Sequence, residues 1–105
     1  MAEASTGDTS REDLLRREYH AQTARIPWTD LQTYYAHGSV IRVSPDLDLV
    51  EVAVQLGMDN KQRFEEWTGA DLVAPVSDAE ALAWYESGAQ LWAVVAAPWV
   101  LVQDR

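Results

Sequence analysis

The sequence predicts one small α+β (or α/β) domain, with about five helices around a sheet of three or four short strands. Three observations lead there. Capped segments with helical apolar spacing recur along the chain. Short β-branched runs lie between them. The stretch Leu91 to Gln103 is apolar on both faces, as a central strand requires. A chain of 105 residues, 48 % hydrophobic and 24 % charged, has the size and balance of a single globular domain.

Residues 1–10 mix Ser, Thr, Gly, Glu and Asp with no large apolar residue after Met1. They predict a disordered tail ahead of a domain over 11–105. Arg11 to Gln22 predicts a helix opened by Ser10, with Leu14, Leu15 and Tyr19 as a narrow apolar stripe. Thr29, with Gln32 three residues on, predicts the start of a second helix that carries Leu31, Tyr34 and Tyr35 and stops at Gly38. Val40 to Val43 reads as a strand.

Ser44-Pro45-Asp46 has the chemistry of a helix start: a capping Ser, then Pro, then acids. Leu47 to Leu56 fits both a strand alternation and a helical stripe, and the capping residues favour helix. Asp59 is expected to cap the next helix, with Phe64 and Trp67 one turn apart and Gly69 at its end. Leu72 to Val76 reads as a second strand, with Pro75 marking an edge or an end. Ser77 and Glu80 form a capping box, and Gly88 stops that helix. Leu91 to Gln103 is either a hairpin turning at Ala97-Pro98 or one bent strand. Ala-Pro lacks the positive-φ residues of tight hairpins, so a hairpin there is expected to turn more widely.

A weak internal echo links two units. Pro27-Trp28-Thr29-Asp30, Gln32, Gly38 and a strand resemble Pro75-Val76-Ser77-Asp78, Glu80, Gly88 and a strand. Either the units share an origin, or helix caps and stops simply look alike.

Charge and composition limit function. The net charge of −9 disfavours nucleic acid and anionic membranes, and suits a basic partner or plain solubility. There are no cysteines, so disulfides, thiolate nucleophiles and Cys-based metal sites are excluded. No basic region followed by an apolar run opens the chain. Both features suit the cytoplasm. The run Leu91 to Val102, broken by Pro98, is too short to span a bilayer as a helix.

Catalytic patterns are absent. His20 and His37 belong to no metal-binding motif and sit near predicted helix C-termini. Asp46 and Asp48 are explained by helix-start chemistry, with a magnesium site as the sharper alternative. Neighbouring Glu65 and Glu66 point about 100° apart on a helix. No Ser lies in Gly-x-Ser-x-Gly, and no phosphate loop exists. No catalytic residue, metal or cofactor is expected.

Aromatics are the unusual feature, with five Trp among 105 residues. Trp can fill a core or anchor an interface. The leading expectation is a non-enzymatic binding or regulatory module that works through protein contacts. The alternative is a small-molecule-binding protein or minor enzyme, with a pocket of aromatics and carboxylates. Weak ligand-binding candidates are Trp28, Tyr34, Asp46 and Asp48. A small open sheet leaves edges, so a homodimer is also expected.

Three sets of residues resemble a known family. They are Thr23-Ala24-Arg25-Ile26-Pro27-Trp28 on to Leu31; Leu47-Asp48-Leu49-Val50-Glu51-Val52-Ala53; and Leu91-Trp92-Ala93-Val94-Val95 with Pro98-Trp99-Val100-Leu101-Val102-Gln103. Together they resemble the bacterial domain-of-unknown-function family DUF2288, over about Leu14 to Gln103. The resemblance implies a small stand-alone bacterial protein. It brings no activity and no functional residue with it.

Overall fold

The computed structural model describes the backbone of residues 2–105 and the side chains of 11–105. The elements are α1 (Ala2–Gln22), β1 (Ala24–Pro27), α2 (Trp28–Ala36), β2 (Val40–Val43), α3 (Leu49–Gly57), α4 (Lys61–Gly69), β3 (Val73–Pro75), α5 (Asp78–Ser87), β4 (Gln90–Ala96) and β5 (Trp99–Gln103). The fold is α+β: five helices and one five-stranded mixed sheet in the order β1-β4-β5-β2-β3.

Side-chain alternation along the strands divides the core in two. On one face Val40, Leu91, Ala93, Val100 and Val102 meet Trp28, Leu31 and Trp84 from α2 and α5. On the other, Ile41, Val43, Val94 and Leu101 meet Val52, Ala53 and Trp67 from α3 and α4, with Tyr19 of α1 against them. Sheet and helices thus stack in three layers. The C-terminal hairpin lies inside the sheet, which accounts for its strands being apolar on both faces.

Strand directions give the echoed units equivalent places. β5 is parallel to β2 and antiparallel to β4, while β1 and β3 are antiparallel to β4 and β2. The units β1-α2-β2 and β3-α5-β4 therefore each join parallel strands, and they lie symmetrically about β5. Both crossover helices share one face, where Trp28 and Trp84 meet edge-on at 5.1 Å.

Several local expectations are met. Ser77 and Glu80 make both bonds of the capping box, and Gly88 is left-handed at φ 63°. Residues 47–56 form a turn and then a helix, and α3 buries Leu49, Val52, Ala53 and Val54. The segment 91–103 is a hairpin with register Ala96↔Trp99.

Others are corrected. Helical backbone reaches back to Ala2, so Ser10 does not start α1. The side chains of the tail read over 1–10 lie outside the described residues. The sheet has five strands rather than three or four. The one missed, Ala24–Pro27, is four residues long and takes its register from β4. Thr29 does not cap α2, which begins at Trp28 without a side-chain cap. The Trp28 N–H instead donates to Ala89 O at 2.9 Å, a tertiary partner invisible to local sequence.

Ser44 does not cap α3; Asp48 does, accepting from the N–H groups of Val50 and Glu51. Ser44 opens a turn, its carbonyl accepting from Leu47 N–H at 3.0 Å. Asn60, not Asp59, caps α4. α4 ends at Gly69 as expected, and Asp59 and Asp71, each two residues past the end of α3 and α4, are left-handed. Each stop is sealed by an N–H reaching back five residues, Asn60 to Gln55 O at 3.0 Å and Leu72 to Trp67 O at 2.8 Å. Asp tolerates this conformation better than most residues, though less well than Gly. The hairpin turn is tight rather than wide, and its Ala97-Pro98 peptide is cis.

Candidate functional site

The four candidate residues do not converge. Trp28 is 1 % exposed and packs edge-on against Tyr35 and Trp84, so it is core. Tyr34 is 49 % exposed on α2, beside a hollow of about 280 Å³ that also touches Ile26, Asp30 and Val95. Asp46 and Asp48 lie before α3, on the far side of the sheet. Asp48 is engaged as the helix cap. The Asp46 N–H donates to Ser44 Oγ at 3.2 Å, within the turn. Among the described residues no three His, Asp or Glu gather as a metal site.

Two larger concavities were not foreseen. The first is an apolar groove of about 730 Å³ between α4 and the β3 side of the sheet. Strand alternation points Ile41, Val73 and Trp99 to the same face, where they form the floor. Phe64 projects from α4 as one wall, Leu56 closes the α3 end, and Pro75 forms the outer edge. Asp59, Lys61 and Glu65 stand at the rim. Trp99, 37 % exposed, presents aromatic surface to solvent here. Only its place at the first residue of β5, beside β2, makes it available. Sequence reasoning placed Phe64 and Trp67 together on a buried face. In the structure Trp67 is buried and Phe64 is only partly covered.

The second is a pocket of about 590 Å³ with mixed polar and apolar lining, on the same face at the far end of α3. Trp92 forms one wall. Arg105 lies over its ring at 5.3 Å and Arg25 at 5.9 Å. His20 enters from the last turn of α1, and Pro45 and Leu47 from the turn before α3. That turn is held by Gln103, which is fully buried. Its Nε2 donates to the carbonyls of Ser44 at 2.8 Å and Leu47 at 2.7 Å. Its Oε1 accepts from Arg105 Nε. One buried amide thus orders both a wall of the pocket and a guanidinium in it. No local motif announces this, because Gln103 and Ser44 meet only through the sheet.

Elsewhere polar groups serve the scaffold. Arg16 of α1 ties to Glu51 of α3 at 3.0 Å, and its hydrogen bonds to Glu51 and Glu12 raise its already high pKa. Arg42 joins Glu80 at 3.0 Å and Asp71 at 3.3 Å. The Tyr35 hydroxyl donates to Asp78, which raises the phenol's pKa.

The family model for Protein of unknown function (DUF2288) matches residues 14–104. The chain belongs to the DUF2288 family. Among solved structures, the NMR solution structure of PA1075 from Pseudomonas aeruginosa is similar at 37 % identity with a TM-score of 0.77. That match covers 88 % of this chain and 85 % of the other. No curated protein matches the chain. The three sets of residues read above lie within the matched span and fall on β1 with the start of α2, on α3 with the two residues before it, and on the β4–β5 hairpin. No helix among the described residues is long and apolar enough to cross a membrane.

Proposed function

We propose that this DUF2288 protein is a binding module that receives a helix of a partner protein in the groove beside α4. The groove itself carries the reading: about 730 Å³ floored by Ile41, Val73 and Trp99, with Phe64 on its wall. An exposed, concave apolar surface of this kind is a usual mark of a protein contact.

The occupant is an amphipathic helix with an apolar stripe and basic flanks. β3 is three residues long and ends in Pro75, which has no N–H, so it is a poor template for an added strand. A helix needs only the apolar trough. The rim offers the carboxylates of Asp59 and Glu65 against the single ammonium of Lys61, in a chain of net charge −9. That field attracts a basic partner and repels an acidic one.

The test is an NMR titration with a Leu/Lys amphipathic helical peptide and with its Leu/Glu counterpart. Saturable shifts confined to Ile41, Phe64, Val73 and Trp99, weakening with salt, are expected for the basic peptide alone. Shifts scattered over the chain, or equal effects from both peptides, would overturn the reading.

A further inference from the structure

We infer that the pocket at Trp92 binds a small planar organic monocarboxylate. This site is separate from the groove and needs no protein partner. Its volume of about 590 Å³ lies in the range of small-ligand sites. Its chemistry differs from the rest of the surface. In a chain of net charge −9, the groups gathered here are the guanidinium of Arg105, the imidazole of His20 and, against the Trp92 ring, Arg25.

Among the described residues neither Arg105 nor His20 has a carboxylate partner within ion-pair distance. Gln103 takes only the Nε of Arg105, and among the described residues neither Nη group has a hydrogen-bond partner, so the two stand as a fork. Such a fork matches a carboxylate in two parallel hydrogen bonds. It is also held in advance, by stacking on Trp92 and by the buried amide of Gln103, so little side-chain freedom is lost on binding. Leu47, Val50 and the Trp92 ring edge supply apolar contact for a flat ligand body.

Asp48 limits the charge of the ligand. Its Oδ1 already serves the N–H groups of Val50 and Glu51, so the α3 N-terminus offers no free anion site. Its negative charge at the pocket wall offsets part of the attraction of Arg105, so each further carboxylate on a ligand adds repulsion. A monocarboxylate therefore fits better than a dianion.

Benzoate, phthalate and benzylamine are the probes, followed by NMR of the full chain at neutral pH. Benzoate is expected to give saturable shifts at the Trp92 indole N–H and at Leu47 and Val50, with a Kd on the order of 1 mM. Phthalate is expected to bind more weakly and benzylamine not at all. Arg105→Gln should weaken benzoate about tenfold while leaving the rest of the spectrum in place. The inference is overturned if benzoate gives no saturable shift up to about 20 mM, far above that Kd. It is equally overturned if benzylamine matches benzoate, or if Arg105→Gln binds as the parent does.

Discussion

Replacing Gln103 with Leu tests the claim that one buried amide organises the 44–47 turn. Leu keeps the approximate volume and the strand position but removes both N–H donors. The carbonyls of Ser44 and Leu47, now reached at 2.8 and 2.7 Å, lose these partners. Each lost bond to a buried or half-buried acceptor costs about 1–2 kcal/mol. The added apolar burial returns about 1 kcal/mol. The balance is a loss of about 1–3 kcal/mol, or roughly 5–20 °C in Tm for a domain of this size. Urea unfolding followed by Trp fluorescence, with calorimetry beside it, measures this directly. The m-value should not change, because the surface exposed on unfolding is the same. A loss below about 0.5 kcal/mol would mean that the turn holds its shape without Gln103, and the reasoning would fail.

Three further substitutions probe other parts of the fold. Ser77→Ala removes the helix cap that accepts from the Glu80 N–H at 3.1 Å, and should cost about 1 kcal/mol in chemical denaturation. Trp28→Ala empties a site against Trp84 and Tyr35, and should cost about 3–5 kcal/mol by the same assay. Tyr35 gives a pH test. Its bond to Asp78 raises the phenol's pKa, so the folded state favours the protonated form. The associated stability is present below the unfolded tyrosine value, about 10, and is lost as pH rises through the higher folded value. Ultraviolet titration should show Tyr35 ionising above the ordinary range, and Asp78→Asn should lower its midpoint.

Much of the scaffold was legible because its signals are local. Val40–Val43 is β-branched at every position but Arg42, and Ser77 with Glu80 needs only its own helix turn. Pro75 correctly marked an edge strand, since a missing N–H is tolerated only there. What escaped the reading depends on distant partners. β1 is too short to show a period and is paired only by β4. The start of α2 is satisfied by Ala89, and the turn before α3 by Gln103. The left-handed stops at Asp59 and Asp71 were hidden because Asp is also a good helix cap, and the two roles look alike in sequence.

The same division applies to function. Trp28 was a ligand-binding candidate, yet the packing of α2 on α5 makes it core. Trp99 and Phe64 looked like ordinary core aromatics. The groove exists because β5 begins beside β2 while α4 covers only the β3 side. Trp92 and Arg105 are brought together by strand register, which places Gln103 opposite Trp92. Neither concavity has a contiguous motif, so composition could suggest binding but could not place it.

The most direct test of the groove as a helix-docking site is photo-cross-linking in the native cell. A benzophenone amino acid would replace Glu65 at the groove rim, with Arg17 on the exposed side of α1 as the control position. The account expects one dominant product from position 65, joined to a partner helix with an apolar stripe and Lys or Arg on its flanks. Trp99→Asp should abolish it. A product containing only a second copy of this chain, a cross-link to an acidic segment, the same product from position 17, or no product would contradict the account.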